Sequence, residues 1–115
     1  MINTILTASG VQYRESHYRK PPAGAYAVYF DDVTVTGPDP VNPATTVWTP
    51  AVYHHAATVE LYAPDPEAIA AAEADFEAAL RSHGMTWTKQ ARYWIQTEQI
   101  YQTIYEISYI EKRRP

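Results

Sequence analysis

Residues 65–84, DPEAIAAAEADFEAALRSHG, decide the fold of this chain because they form its most clearly marked element. Asp65 can cap a helix with its carboxylate, and the fixed φ of Pro66 suits the first helical position. Glu67 lies near the positive end of that helix, and Gly84 can adopt the left-handed conformation that ends it. The sequence therefore predicts one long helix over residues 66–83.

One side of the predicted helix is apolar and is expected to pack on a sheet. This stripe consists of Ile69, Ala72, Phe76, Ala79 and Leu80. The predicted outward side carries Glu67, Glu77 and Arg81 together with Ala70, Ala71, Ala74 and Ala78. These alanines either reflect helix propensity alone or provide a shallow face that a neighbouring subunit can approach closely.

Strand patterns flank the helix on both sides. Aromatic and β-branched residues predict strands over residues 25–35 and 51–63 before the helix, and over 85–94 and 100–110 after it, with a turn near 96–99. Near the N-terminus, the spacing of Ile2, Ile5 and Leu6 favours a short helix over a strand, and residues 11–18 are expected to be extended. The predicted fold is α+β: a single domain over residues 1–115 with the order αββαββ, in which the long helix packs on a mostly antiparallel four-stranded sheet.

The last predicted strand has two different faces. Alternation puts isoleucines on one face, Ile100, Ile104 and Ile110, and tyrosines on the other, Tyr101, Tyr105 and Tyr109. A helix is the alternative, since Ile100, Ile104 and Ile107 would line one side of it, but the density of Tyr, Ile and Thr favours the strand. We therefore expect one aliphatic and one aromatic face.

Two segments are predicted to lie outside the sheet. Residues 36–50 hold four prolines and cannot join a central strand, so they are expected to form a projecting loop. Trp48 in this loop is either part of a simple surface insertion or an anchor for a partner, because Trp is common in interface hot spots. Residues 111–115 are charged and are expected to form a flexible tail.

Composition limits the classes of function. The 115 residues suit one core, and the chain has no cysteine, which excludes disulfides and thiolate metal sites. Net charge is −4, and residues 65–83 hold five of the 13 acids but only one of the nine Lys and Arg residues. Without a basic excess, no nucleic-acid recognition is expected. No basic leader and no apolar run of about 20 residues is found, so neither export nor a membrane partner is expected.

Residues that carry chemistry do not form a recognisable site. His54 and His55 are adjacent on a predicted strand and should point to opposite faces, as should Asp31 and Asp32, so neither pair is expected to chelate one ion. No glycine-rich phosphate loop, nucleophile elbow or zinc-binding histidine pair is found. The prediction is therefore no catalytic, metal-binding or cofactor-binding residue and no enzymatic activity.

Several stretches of the chain resemble a known family. These are residues 59–62 (VELY), the Pro- and Asp-started acidic helix, residues 84–89 (GMTWTK), 94–98 (WIQTE) and 101–107 (YQTIYEI). In this order they resemble the small tail-terminator, or tail-completion, proteins of siphophages and prophages, over about residues 25–110. The proline-rich loop around Trp48 departs from the compact pattern of that family.

The resemblance implies a non-enzymatic structural protein that caps the tail tube and joins it to the head connector. It implies a monomer when made, a ring homo-oligomer with six subunits on the tail, and a location in the neck of the virion, with assembly in the host cytoplasm. The expected partners are other copies of the chain, the tail tube protein and the head–tail connector protein. The interface residues predicted as a hypothesis are Trp48, Tyr53, Tyr101 and Tyr105.

Two other functions stay open. A head-completion or connector adaptor on the portal side would share the ring arrangement but contact a different partner. A small ligand-binding α+β module would need convergent polar groups in a cavity beneath the helix. The tyrosine-rich face could also stack on single-stranded nucleic acid, but the cations such a surface needs are mostly missing from the sequence.

Overall fold

A computed structural model of the chain describes residues 1–15, 23–36 and 51–113. The elements in chain order are α1 (Ile2–Ser9), β1 (Gln12–Glu15), β2 (Tyr26–Thr36), β3 (Ala51–Ala63), α2 (Pro66–Ser82), β4 (Thr86–Lys89), β5 (Tyr93–Ile95) and β6 (Ile100–Arg113). The predicted α+β class is confirmed. Among the described residues, no helix is long and apolar enough to cross a membrane.

The long helix has the ends that its sequence predicts. The Asp65 carboxylate accepts a hydrogen bond from the Ala68 backbone N–H at 2.7 Å, and Pro66 is the first helical residue. The helix stops at Ser82, one residue earlier than predicted, and Gly84 has the left-handed φ of 67°. The caps therefore define this element locally, before any packing.

The apolar stripe of α2 is buried as predicted. Its members Ile69, Ala72, Phe76, Ala79 and Leu80 all lie in the core, whereas the four outward alanines are exposed. One outward prediction is wrong in part: Glu77 is half-buried, because its carboxylate bonds to neighbouring strands. The N-terminal helix is also confirmed, with Ile2, Ile5 and Leu6 buried and Gly10 left-handed at its end.

The sheet differs from the predicted one. Within the described residues it has six strands in the order β1-β2-β3-β6-β4, with β5 also paired to β6, and it is mixed because β1 runs parallel to β2. The prediction had residues 11–18 extended but outside the sheet, whereas residues 12–15 form β1 and pair with β2, 14 residues further along the chain. It also joined β4 and β5 into one strand over residues 85–94.

An extra residue separates β4 from β5. Lys89 pairs with Tyr105 and Tyr93 pairs with Gln102, so four residue steps on one side face three on β6. Such an insertion shifts the alternation of side chains by one position. This explains why the predicted strand is interrupted, and the Arg92 side chain lies on the same face as Lys89.

The core lies between one face of the sheet and the two helices. Val59 and Leu61 of β3 and Tyr105 and Ile107 of β6 are buried on this helix side. The predicted alternation in β6 is confirmed, since Tyr105 pairs opposite Val59 whereas Ile104 pairs opposite Glu60 on the other face. The aromatic face is therefore the covered one, and the aliphatic face points away from the helices.

The two segments predicted to leave the sheet are only partly within the described residues. Residue 36 ends β2 and residue 51 begins β3, and residues 37–50 of the predicted loop, including Trp48, lie outside the described residues. β6 continues to Arg113, so residues 111–113 of the predicted tail pair with the beginning of β3.

Candidate assembly surface

Three strands continue beyond the helix-covered core. Ala57 of β3 and Ile107 of β6 pair with each other and are core residues at the limit of the helix layer. Past this pair the sheet goes on through residues 32–36 of β2, 51–56 of β3 and 108–113 of β6. At about 3.3 Å per residue this extension is roughly 20 Å long. We call these three segments the arm.

Both outer edges of the arm are open within the described residues. β1 pairs with β2 only as far as Glu15 opposite Tyr29, and β4 pairs with β6 only as far as Thr86 opposite Ser108. In the part of the chain that the structure describes, residues 30–36 of β2 and 110–113 of β6 therefore have no strand on their outer side. An open edge presents unpaired backbone N–H and C=O groups to any extended segment that approaches.

Large apolar side chains are exposed along these two edges. Phe30 and Val33 of β2 are 43% and 47% exposed, and Ile110 of β6 is 61% exposed. Phe30 and Ile110 lie on the face that points away from the helices, and Val33 lies on the helix side, opposite His55. The edges therefore combine open hydrogen-bonding groups with apolar surface.

A groove of about 430 Å³ lies on the arm. It is lined by Asp32, Thr34, His54, His55, Ala56, Ser108, Tyr109 and Ile110. The alternation of the strands puts most of these side chains on the face that points away from the helices. This location differs from the cavity beneath the helix that a ligand-binding module was expected to use.

A histidine and a carboxylate form a buried pair on the other face at the base of the arm. His55 Nδ1 lies 2.9 Å from Asp31 Oδ2, and the Tyr109 ring stacks on the imidazole with centroids 4.2 Å apart. The Tyr109 hydroxyl donates a long hydrogen bond of 3.4 Å to the same Asp31 oxygen. His55 is only 9% exposed, and its Nε2 atom contacts no hydrogen-bonding group among the described residues.

The two adjacent histidines point apart, as the sequence predicts. His54 is exposed and lines the groove, whereas His55 is buried against Tyr109. Asp31 and Asp32 divide in the same way, since Asp31 binds His55 and Asp32 lines the groove. Within the described ranges no group of three or more His, Cys, Asp or Glu side chains could hold a metal ion.

The most extensive polar cluster lies beneath α2. Glu73 is 5% exposed, and its Oε1 accepts hydrogen bonds from Arg92 Nη2 at 2.8 Å and from Lys89 Nζ at 3.1 Å. Its Oε2 accepts from Arg92 Nε at 3.0 Å and from the Thr103 hydroxyl. Burial alone would raise the pKa of Glu73, but these donors outweigh it and lower the pKa to about 2.

A second carboxylate extends this cluster. Glu77 Oε2 accepts a hydrogen bond from the Tyr105 hydroxyl at 2.8 Å and lies 3.0 Å from Lys89 Nζ. Burial, followed by the hydrogen bond to Glu77, raises the pKa of Tyr105 above its ordinary value. Both carboxylates thus accept hydrogen bonds from strand residues, and Glu73 accepts two more from Arg92 in the segment between β4 and β5, so the cluster attaches α2 to the sheet.

Of the predicted interface residues, the three that the structure describes, Tyr53, Tyr101 and Tyr105, do not lie together on one surface. Tyr53 is half-buried on β3 in the arm, ten positions along β3 from Ala63, the partner of Tyr101. At about 3.3 Å per residue, that separation is roughly 33 Å. Tyr101 packs partly against the core with its ring centroid 4.7 Å from that of Trp94. Tyr105 is fully buried, so an effect of its side chain on assembly would act through the position of α2.

Sequence reasoning did not single out Phe30, Val33 and Ile110. The signal in the sequence is the run Val33-Thr34-Val35-Thr36, which is strand-forming and uncharged at the end of a long strand. That this run lies at an edge depends on sheet order, which the sequence left open. The prediction about Trp48 falls outside the described residues.

Comparison with models of protein families, with curated proteins and with solved structures finds no match for this chain.

Proposed function

We propose that this chain is a structural subunit of a phage neck, a tail terminator that assembles as a ring on the end of the tail tube and contacts the head connector. The observation that carries the proposal is the arm, which extends two strand edges, open within the described residues, with exposed Val33 and Ile110 away from the buried core. A ring subunit needs two different contact surfaces and a body that does not deform.

The interior supports a structural role as well. The buried carboxylate Glu73 is fully engaged by Arg92, Lys89 and Thr103. It is held ionised by fixed partners rather than poised near neutral pH for proton transfer. In this proposal the protein is not an enzyme, and its partners are other copies of the chain, the tail tube protein and the head connector protein in the virion.

The direct test is the molar mass of the purified protein over a concentration series, by light scattering after size exclusion, with and without isolated tail tubes. A ring, either spontaneous or formed on tube ends, is the expected result. A protein that remains monomeric and ignores tail tubes contradicts the tail-terminator proposal.

A portal-side adaptor is the second candidate, and the same arm favours it, because an adaptor ring has the same need for two contact surfaces. Isolated connectors added to the concentration series separate the two. Binding to connectors without binding to tubes would favour the adaptor. A ligand-binding module would instead use the groove that contains Asp32, His54 and Ser108, and it would show saturable small-molecule binding to the monomer.

A further inference from the structure

We infer that the groove on the arm binds the guanidinium group of an arginine side chain that a partner protein presents. The groove is formed by three neighbouring strands, and Asp32, His54 and Ser108 supply one polar side chain from each of them. The identity of the partner, the tail tube protein or the head connector protein, rests on the proposed function.

Short side chains form the floor of the groove. Ala56 of β3 pairs with Asp32 on one side and with Ser108 on the other, so these three residues form a row across the sheet. His54 and Ile110 are partners in the next row, and both rows point away from the helices. Because Ala56 and Ser108 are short, they leave a depression of about 430 Å³, with Asp32 at its β2 end.

The polar lining of the groove suits a cation that donates hydrogen bonds. Among the described residues that line it, Asp32 carries the only formal charge when histidine is counted as neutral. The hydroxyls of Thr34 and Ser108 and an imidazole nitrogen of His54 can accept hydrogen bonds. A guanidinium group is a planar fork of N–H donors that binds a carboxylate through two of them and stacks on aromatic rings. Asp32 and His54 together therefore favour guanidinium over ammonium.

The apolar lining suits the stem of the same side chain. An arginine buries its methylene groups along apolar surface while its charged head contacts polar groups. Ala56 and Ile110 provide such a surface inside the groove. Phe30, two residues before Asp32 on the same strand and the same face, is 43% exposed and adds apolar surface beside it. The groove thus matches both ends of an arginine side chain.

The shallow shape of the groove favours a protein partner over a free small molecule. All four polar residues of its lining are exposed. Sites for small molecules bury most of the ligand surface, which this groove cannot do. An arginine in a protein interface is instead surrounded by further contacts that exclude water, and arginine is enriched in such interfaces. The exposed Phe30 and Ile110 can provide these contacts on either side of the groove.

Two matched compounds test the binding chemistry. N-acetyl-arginine methylamide carries the guanidinium group, and its citrulline analogue carries a neutral urea group of nearly the same shape. Amide nitrogen–proton correlation NMR spectra at pH 7 follow both titrations. We expect the arginine compound to shift the signals of Thr34, His54 and Ser108 saturably, and the citrulline compound to bind at least about threefold more weakly.

An uncharged variant tests the role of Asp32. Asp32→Asn keeps the size of the side chain and should weaken binding of the arginine compound by about threefold or more. Glu106→Gln is the matched control, because it removes the same charge from an exposed position on the same face outside the groove lining, and it should bind like the wild type. Far-UV circular dichroism verifies that both variants are folded.

Co-sedimentation with isolated tail tubes and with isolated connectors tests the partner. We expect Asp32→Asn to lose binding to the particle that the wild type and Glu106→Gln bind. The loss should resemble the effect of raised salt on the wild type, because an exposed ion pair is screened by salt.

Three results overturn the inference. If the arginine and citrulline compounds bind equally, or shift signals only outside the groove, the groove does not recognise guanidinium. If Asp32→Asn binds tubes or connectors like the wild type, the partner contacts another surface and the proposed function stands. If the wild type binds neither particle, the proposed function fails, and the partner inferred for the groove fails with it.

Discussion

The Glu73 carboxylate is held by the Arg92 guanidinium through two hydrogen bonds, 2.8 Å from Nη2 to Oε1 and 3.0 Å from Nε to Oε2. Arg92 belongs to the segment between β4 and β5, and Glu73 lies on the buried side of α2. This pair with Lys89 attaches the helix to a part of the sheet that has only two short strands, so it should contribute measurably to stability.

Replacing Glu73 with Gln should lower the free energy of unfolding at pH 7 by about 1–3 kcal/mol, because it weakens the charge-assisted hydrogen bonds from Arg92 and Lys89, whose side chains are 37% exposed and can instead be solvated. Urea denaturation measures the change. The control is Asp75→Asn, which removes the same charge from an exposed position of the same helix and should change stability by less than about 0.5 kcal/mol. Equal effects of the two substitutions would contradict this role for Glu73.

The same carboxylate should make the stability of the protein depend on pH, with a loss of stability as the pH falls. The pKa of Glu73 is lowered from 4.5 to about 2 in the folded protein, so the folded state binds this proton less readily than the unfolded chain does. Its contribution is fully present above pH 4.5 and is lost as the pH falls toward 2. The stability difference between the wild type and Glu73→Gln should therefore shrink over this window. A difference that stays constant from pH 6 to pH 2.5 would contradict the expectation.

Removing the hydroxyl of Tyr105 separates its packing from its hydrogen bond. Tyr105→Phe keeps the edge-to-face contact with Phe76, whose ring centroid lies 5.0 Å away, but loses the bond to Glu77. We expect a loss of about 1.5–3 kcal/mol, typical of a hydrogen bond to a charged group. Chemical denaturation measures it. Because the side chain is buried, assembly should be unchanged, and loss of assembly in a stably folded Tyr105→Phe would place this residue at the interface.

Alanine substitutions at the neighbouring residues Asp31 and Asp32 should have very different effects on stability. Asp31→Ala leaves the buried His55 Nδ1 without its carboxylate and should cost about 1–3 kcal/mol. Asp32→Ala removes an exposed side chain on the opposite face and should change stability by less than about 0.5 kcal/mol. Thermal unfolding of both variants at pH 7 provides the comparison. If the order is reversed, the His55–Asp31 pair does not stabilise the base of the arm.

Gly84, at the end of α2, allows a test of how the backbone conformation contributes to stability. Gly84→Ala forces a residue with a Cβ into φ 67° and should destabilise the protein by about 1 kcal/mol. Gly24→Ala is the control, because its φ is not in the left-handed region and a Cβ there meets no atom within 4 Å. That control should be neutral or stabilising by up to about 1 kcal/mol. A neutral Gly84→Ala would show that the end of α2 can move.

The features that could be predicted from the sequence are those that depend on residues close together in the chain. Asp65, Pro66 and Gly84 define the helix through their own backbone preferences, and the alternation in β6 assigns Tyr105 and Ile104 to opposite faces. The parallel pairing of β1 with β2 could not be predicted in the same way, because it depends on the tertiary placement of Gln12–Glu15 beside Tyr26.

The chemistry of the interior was equally hard to predict. Glu73 looks like one more acid on an acidic helix, and its burial depends on Arg92, 19 residues further along the chain. The interface prediction for Tyr105 followed from an aromatic face whose covering by α2 is a tertiary property. Within the described residues, the position of Val33 and Ile110 at the edges of the arm follows from strand order, so no local pattern identifies them.

The extra residue between Lys89 and Tyr93 shifts the alternation of the side chains by one position. Upstream of it, Lys89 shares the face of Tyr105, and downstream the alternation restarts with Trp94 beside Tyr101. Deleting Ala91 would leave three residue steps on each strand, with Arg92 opposite Thr103 and Tyr93 still opposite Gln102. Arg92 would therefore stay on the face of Tyr105, where it can reach Glu73. The pairing of β5 with β6, rather than the length of this connection, keeps the cation beneath the helix.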